Sequence, residues 1–267
     1  MKMKSSVQTA FALATTITFA VEPAAGQGAD AVNEANNPLT PKITINLQDY
    51  YVPSLFGAPG RQANQFLFRG VIPMKIGDVG QLFRFTLPVA TSPTFPNGTD
   101  TGFGDLTLID LFPFRGPGKV TFAVGPVLTA PTASTDALGA GRWQAGAAGV
   151  VVAPQSWGIL AGLLIYQHSF ALDRGRDEVS VMTFQPIVNY NLPNHFYLRS
   201  SAIWSFDLAH QASYIPVGLG LGKVWLLEKG ITMNAFIEPQ ITIWKEGDSA
   251  PHWQIFAGVN FQFPVNK

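Results

Sequence analysis

The sequence predicts an all-β fold: a transmembrane antiparallel up-and-down β-barrel of about twelve strands in a bacterial outer membrane. Three observations lead to this class. The chain begins with an export signal and has no later membrane-spanning helix, its strand-like segments alternate apolar and polar residues, and its connections alternate between long and short. An up-and-down outer-membrane barrel combines these features.

The composition fits a lipid-facing protein. The 267 residues suit one large β domain or two ordinary ones. Charged residues make up 13%, about half the usual share of ~25%, whereas the hydrophobic share of 47% is ordinary. A formal net charge of zero argues against nucleic acid as a partner. The absence of cysteine excludes disulfides, thiolate metal sites and cysteine nucleophiles.

The N-terminus has the features of a secretory signal. Two lysines among the first four residues precede an apolar stretch, Ala10–Val21, and the small residues Ala24–Gly26. This order predicts a signal peptide over 1–26, cleaved before Gln27; the alternative is a cytosolic N-terminal helix. No later segment approaches the ~18 to 20 apolar residues of a spanning helix. The exported chain is therefore either soluble outside the inner membrane or a barrel.

Residues 27–41 are polar and patternless, which predicts a flexible periplasmic lead-in before a barrel domain over 42–267. The barrel domain contains about twelve strand-like segments bounded by turn residues. Most are near the ~9 to 11 residues that a tilted membrane strand requires. The predicted segments are Lys42–Tyr51, Gln65–Pro73, Gln81–Val89, Asp105–Phe114, Val120–Thr129, Trp143–Ala153, Gly158–His168, Val179–Asn189, Phe196–Phe206, Tyr214–Trp225, Ile231–Trp244 and Trp253–Phe263.

Within these segments, apolar and polar residues alternate. In Gln81–Val89, for example, Phe83 and Phe85 share one face and Arg84 lies on the other. Successive side chains of a strand point to opposite faces, so each strand has an apolar and a polar face. A β-sandwich has the same period, and alternation alone does not separate the two folds.

The connections and the tryptophans favour the barrel. Long connections such as Ala90–Gly104 alternate with short ones such as 154–156, as expected for outer loops and periplasmic turns. An even strand number would return both termini to the periplasm. All six tryptophans lie at or near predicted strand ends, where the two membrane interfaces would be. They are Trp143, Trp157, Trp204, Trp225, Trp244 and Trp253.

Five groups of short motifs carry a family resemblance that extends from about Asn46 to Phe263. They are Thr101–Leu106 with Asp110–Phe112, Gly125–Val127 with Ala130–Thr132, Trp143–Gly146, Gln185–Asn191, and Pro216–Val224. The motifs resemble those of a family of outer-membrane proteins named for a supposed role in the meta-cleavage pathway of phenol degradation (MetA-type). The resemblance implies a transporter-like protein or one of unknown function, and it identifies no reaction.

The inward polar side chains form the candidate site. A barrel of about twelve strands is too wide for side chains alone to seal, so water, a plug or a ligand path must fill it. The polar set is either a constriction that selects solutes or a network that holds the barrel's shape. The predicted lumen and constriction residues are Arg69, Arg84, Asp105, Gln185, Arg199, Glu238, Gln240 and Asn260, with Gln254 beside them.

Gly218, Gly220 and Gly222 share one strand face. Glycine at alternate positions indicates either a sharp bend that closes the barrel or a plug or substrate passing close to the wall.

The sequence predicts no enzyme, because the best serine–histidine pair fails on geometry. His168 and Ser169 are adjacent, so a regular strand sends them to opposite faces. The charged segment Asp173–Glu178 is interpreted as an exposed loop. No metal site of clustered histidine or cysteine is expected, and no cofactor.

The expected function is passage of small, hydrophobic or aromatic molecules; the alternative is a closed structural or surface-interaction barrel acting through its outer loops. Expected partners are outer-membrane lipid and lipopolysaccharide, the barrel-assembly machinery and a small-molecule solute. Phe263 is followed by four further residues, which departs from the terminal phenylalanine that the assembly machinery reads. The sequence leaves open the substrate, the direction of passage, the oligomeric state and whether the lead-in enters the lumen.

Overall fold

The computed structural model describes residues 27–170, 175–247 and 250–265, so the predicted signal peptide lies outside the described residues. One helix and fifteen strands account for most of this part of the chain. The elements are α1 (Gln27–Ala35), β1 (Ile43–Leu55), β2 (Ala63–Ile76), β3 (Val79–Pro93), β4 (Thr99–Phe103), β5 (Leu106–Arg115), β6 (Thr121–Ala130), β7 (Gln144–Gln155), β8 (Gly158–Ser169), β9 (Ser180–Asn191), β10 (Phe196–Ser200), β11 (Trp204–Asp207), β12 (Ala212–Gly218), β13 (Gly220–Leu226), β14 (Thr232–Glu246) and β15 (Pro251–Phe263).

The fifteen strands form one closed sheet of twelve antiparallel barrel strands, which confirms the predicted fold. Three barrel strands are each interrupted once. β4 and β5 both pair with β3, β10 and β11 both pair with β9, and β12 and β13 both pair with β14. β1 pairs with β15 from Ile43↔Phe263 to Leu55↔Pro251, and this pairing closes the barrel.

Large apolar side chains cover the outside of the barrel. Leu47, Phe68, Leu164, Leu221 and Ile237 are all exposed, on strands distributed around the circumference. Soluble proteins rarely expose so continuous an apolar surface, whereas the outer wall of a membrane barrel requires one. In strands with one apolar and one polar face, the predicted apolar face therefore faces outward.

The two ends of the barrel differ. At one end the connections are short, as between β2 and β3 (Gly77 and Asp78) and between β7 and β8; we call it the short-turn end. The opposite end, the loop end, carries the connection over 131–143. The predicted long connection Ala90–Gly104 is shorter than expected, because β3 and β4 continue as a hairpin. Paired threonines extend that ladder, with Thr91 Oγ1 2.9 Å from Thr101 Oγ1.

The segment predicted as a flexible lead-in instead contains helix α1, and it lies inside the barrel at the short-turn end. Ala29, Val32 and Ala35 share one helical face and are buried, because residues three apart lie on the same side of a helix. Val32 packs in one cluster with Tyr197 and Val224 from the wall. None of the helices in the described ranges is long and apolar enough to cross a membrane.

The inner wall is not polar throughout, which corrects the sequence interpretation. Inward residues of β3 and β5–β8 form an apolar cluster toward the short-turn end, which we call the apolar half. Its strands carry apolar residues on both faces, as in Val150-Val151-Val152, so alternation does not reveal the inner face there. The cluster comprises Leu82, Ile109, Leu111, Ala123, Val127, Ala148, Val150, Val152 and Ile159, joined by Leu39 and Val71.

Candidate functional site

Two cavities lie one above the other along the barrel axis. The inner chamber, of about 140 Å³, is lined by Thr44 and Gln48 of β1, and the outer vestibule, of about 350 Å³, by Tyr50 and Val52 of the same strand. Since β1 runs from the short-turn end to the loop end, the chamber lies nearer α1 and the vestibule nearer the outer loops. The other strands that line both cavities show the same order.

A layer of stacked rings and one ion pair separates the two cavities; we call it the central layer. Tyr50 stacks on Phe256 with ring centroids 4.2 Å apart, and Phe236 meets Phe256 edge-on at 4.9 Å. The guanidinium carbon of Arg199 lies 3.6 Å from the Phe236 ring centroid, within cation–π range. Arg199 also pairs with Glu238, so a charged group closes one side of the layer.

Glu238 is the fully buried centre of a polar network. Arg199 Nε donates to its Oε2 at 2.8 Å, and Ser201 donates from its backbone N at 2.8 Å and from its Oγ at 2.7 Å. Gln240 Nε2 donates to Oε1 at 3.0 Å and Gln254 Nε2 donates to Gln240 at 2.7 Å. A buried carboxylate needs this saturation, because an unpaired charge in the interior is strongly unfavourable.

The interrupted strands make the network possible. The breaks between β10 and β11 and between β12 and β13 lie opposite one another, so the Ser201 amide is free to bond Glu238 instead of a neighbouring strand. A Cβ on Gly218 would come within 2.6 Å of Glu238 Oε1, and one on Gly222 would overlap the Tyr197 ring. The three glycines therefore allow the strand to bend at its break and allow other groups to lie close to its inner face. Those groups are side chains of the barrel itself, Glu238 and Tyr197.

Arg69 and Arg84 lie on the inner wall of β2 and β3. Arg69 Nη1 donates to Gln48 Oε1 at 2.8 Å, and Gln48 Nε2 donates to Asn260 Oδ1 at 2.9 Å. Arg84 lines the inner chamber. Among the predicted residues, Gln185, Arg199 and Asn260 also line it, while Gln240 lies in the Glu238 network.

Asp105 does not belong to this site, which corrects its predicted place in the lumen set. Its carboxylate accepts hydrogen bonds from Ala133 N at 3.1 Å and Ala140 N at 2.7 Å, and it thereby anchors the 131–143 connection. The residue lies in the break between β4 and β5, where strict alternation of side chains no longer applies. Asp105 is therefore a loop anchor at the loop end.

Sequence reasoning missed the aromatic part of the site and the residues of α1. Phe236 and Phe256 lie two residues before Glu238 and two after Gln254, so the same alternation that selected the polar residues places them inward. Polar side chains on α1 and directly after it bond the wall: Asn191 Nδ2 donates to Asn33 Oδ1 at 2.9 Å, and Asn234 Nδ2 to Asn36 Oδ1 at 3.1 Å. No sequence signal marks these two contacts.

His168 and Ser169, the pair considered for catalysis, do not form a catalytic arrangement. The His168 ring lies 3.7 Å from Glu178 on a half-exposed surface, whereas Ser169 is buried and its Oγ accepts from Val179 N. Part of the charged segment Asp173–Glu178 lies outside the described residues. Within it, Arg176 pairs with Asp136 at 3.2 Å and joins two outer loops. Among the described residues, no group of three or more His, Asp or Glu could hold a metal ion.

No protein-family model matches the chain, and no curated protein matches it. Among solved structures, the chain is similar to the COG4313 outer membrane channel from Pseudomonas putida F1, with 16% identity, a TM-score of 0.61, and coverage of 83% of this chain and 96% of that one. Two weaker likenesses have TM-scores below one half. They are the KdgM porin in complex with disordered oligogalacturonate (10% identity, TM-score 0.42, 84% and 99% covered) and the β domain of the Bordetella autotransporter BrkA (14%, 0.39, 83% and 99%). The Pseudomonas likeness shows the fold of an outer-membrane barrel, and the phenol-pathway family stays a prediction.

Proposed function

We propose that this barrel is an outer-membrane channel that passes small solutes along its axis, and that it is not an enzyme. The observation that carries the proposal is the stacking of the vestibule and the chamber on one line, separated only by the central layer. A barrel whose sole role was structural would not need two aligned internal cavities. The vestibule lies at the loop end of the barrel, which is the end where solutes would arrive from outside the cell.

The vestibule supports small solutes with an apolar or aromatic part. Its wall combines Tyr50, Tyr214 and Ile203 with Gln65 and Thr183, so flat apolar surfaces alternate with hydrogen-bonding groups. Binding sites for small molecules commonly have this mixture, in which apolar area supplies affinity and a few polar groups fix orientation.

Passage in this proposal requires α1 to leave the short-turn end. The helix is held there by apolar packing and by hydrogen bonds to the wall, among them Asn33 Nδ2 to Gln155 O at 3.1 Å and Gln262 Nε2 to Ala35 O at 3.1 Å. The rival function, a closed barrel that acts through its outer loops, is favoured by this same occupancy together with the full burial of Glu238. The two functions differ in whether α1 can move.

Planar-bilayer recordings test this difference. The chain that begins at Gln27 should show brief openings, and a chain lacking residues 27–41 should conduct almost continuously. No conductance from either chain would contradict the channel and favour the closed barrel.

A tethered variant keeps the test decisive if the truncated chain fails to assemble. Because the chain has no cysteine, Asn33→Cys combined with Asn191→Cys introduces one pair where the two side chains already touch. The oxidised variant should stay closed, and the reduced variant should open at least as often as the unmodified chain, because it lacks the hydrogen bonds that Asn33 and Asn191 make. Each single substitution serves as the control for the pair.

A further inference from the structure

We propose that the inner chamber is a binding site for a small hydroxycarboxylate, with Arg84, which lines the chamber, as the group that binds the carboxylate and its neighbour Arg69 as a second cation behind it. This inference rests on the proposed channel function. It names the class of solute that the channel passes and the charged group that the protein recognises.

The described interior has more cationic than anionic side chains. Arg69, Arg84 and Arg199 point inward, and the carboxylate that faces them, Glu238, is bonded to Arg199. The other nearby acids are used elsewhere: Asp49 accepts from Asn64, and Glu34 on α1 pairs with Lys42 at 3.0 Å. Two buried guanidinium groups in this part of the chain therefore lack a paired anion.

Both guanidinium groups also have unused donors. Arg84 Nη1 and Arg69 Nε are buried and have no hydrogen-bond partner. The register of β2 and β3 places Val71 opposite Arg84 and Arg69 opposite Thr86. The two arginines are therefore diagonal neighbours on the inner face, with Cα atoms roughly 7 to 8 Å apart. A carboxylate fits this pair, because guanidinium donors match its two oxygens and charged partners form the strongest hydrogen bonds.

The chamber also offers unused acceptors. Thr40 Oγ1, Thr44 Oγ1, Asn189 Oδ1 and Gln262 Oε1 are buried without partners, and all four residues line the chamber that Arg84 lines. The hydroxyls of Thr40 and Thr44 can donate to a carboxylate, but the amide oxygens of Asn189 and Gln262 only accept, and a solute with only a carboxylate would leave them without a donor. A hydroxyl group on the same molecule supplies one, which favours a hydroxycarboxylate over a simple acid.

The chamber volume limits the solute to a small molecule. About 140 Å³ is the space of roughly five waters, at about 30 Å³ for each. A hydroxy acid of about three carbons fits this space, and Val71 and Ile187 provide an apolar wall for its carbon chain.

Ligand-observed NMR titrations of the full mature chain in detergent test the site at pH 7. Lactate carries both the charge and the hydroxyl, propionate lacks the hydroxyl, and lactamide lacks the charge. Lactate should bind most tightly and lactamide most weakly. Equal affinity for lactamide and lactate would overturn the arginine site, and equal affinity for propionate and lactate would overturn the role of the hydroxyl.

Substitutions assign the binding to the arginines. Arg84→Gln should weaken lactate binding about 10-fold or more, since it removes a charged hydrogen-bond donor, and Arg84→Lys should retain part of the affinity. Arg115→Gln removes the same charge from an exposed site at the β5–β6 turn and should bind lactate as the unmodified chain does. Unaltered binding by Arg84→Gln would overturn the proposal.

The binding experiment and the bilayer recordings fail independently. A barrel that binds lactate but never conducts would contradict the channel and retain the site. A barrel that conducts but binds lactate no better than lactamide would contradict the site and retain the channel. Gel mobility before and after boiling shows whether each variant has assembled, because a closed barrel commonly migrates differently before heating.

Discussion

The apolar half of the inner wall and the opposite wall perform different physical tasks. The apolar half packs Leu82, Leu111 and Ile159 into a buried apolar cluster, as a soluble protein packs its core. The opposite wall, on β1, β9, β14 and β15, carries amides, the Glu238 network and most of the chamber lining. One side of the barrel is therefore built mainly for cohesion, and the other, together with Arg84 on β3, provides hydrogen-bonding groups to the lumen.

The two sides also respond differently to substitution. In an apolar cluster the loss of a side chain costs the burial of its own atoms plus the cavity that remains. In a buried polar network the loss of one member leaves its partners unsatisfied, and the cost falls on groups that were not changed. Three substitutions separate these behaviours, in decreasing order of expected effect, and a fourth concerns a pair outside both walls.

Glu238→Ala should destabilise the barrel by about 3 to 5 kcal/mol, because it leaves Arg199 buried without its carboxylate. Denaturant unfolding in detergent measures the change. Glu246→Ala lies on the same strand but at an exposed position, and its effect should be within ~0.5 kcal/mol. Equal stability of the two variants would show that the Glu238 network does not hold the wall together.

Leu111→Ala should cost about 3 kcal/mol, since this side chain is fully buried in the apolar half. Lactate binding should be unchanged, because Leu111 does not line the chamber. The same unfolding and titration experiments measure both quantities. A large loss of lactate affinity in this variant would mean that the apolar half and the chamber wall are coupled and do not act independently.

Gly222→Ala should cost about 1 to 3 kcal/mol, because its new methyl group overlaps the Tyr197 ring and must displace it. Tyr197 packs with Val32, so residues 27–41 should become more sensitive to protease. Gly149→Ala provides the control on the apolar side, where a Cβ meets no atom within 4 Å. If protease cuts residues 27–41 equally fast in both variants, the glycine run and the helix are not linked.

The smallest effect is expected at the loop end, outside both walls. The Asp207 carboxylate, 2.9 Å from His210 Nδ1, raises the pKa of His210 through a hydrogen bond and its charge. Because the folded-state pKa is raised, the pair stabilises the fold fully below about pH 6.5, and this stabilisation is lost as pH rises through the raised pKa. An NMR titration of the His210 ring should show a lower pKa in Asp207→Asn. An unchanged midpoint would exclude Asp207 as the cause.

Much of the barrel could be predicted because successive side chains of a strand point to opposite faces, so a short stretch of sequence indicates which residues face inward. In β14 and β15 the inward positions of Glu238, Gln240 and Asn260 follow from alternation alone, and the structure places all three inside. The apolar half could not be predicted in the same way, because its strands are apolar on both faces. Asp105 was misplaced because an interruption in the strand ends the alternation on which the prediction depended.

The helix α1 shows the limit of local information most clearly. Its sequence is polar and short, with too little intrinsic stability for an isolated helix of 9 residues. The wall stabilises it by burying Val32 and by supplying partners such as Asn191 and Asn234. These residues lie far away in the chain, so no window of the sequence contains the interaction.

By itself, the sequence determined the strand period, the approximate strand number and the apolar exterior, since each depends on neighbouring residues and on the medium around the barrel. Tertiary structure alone decided that α1 occupies the short-turn end, that Glu238 binds Ser201, and that Arg84 lines the inner chamber while Arg69 bonds Gln48 beside it. Closure of the sheet brings together side chains from strands distant in the chain, and contacts across a lumen are set by that closure rather than by local pattern.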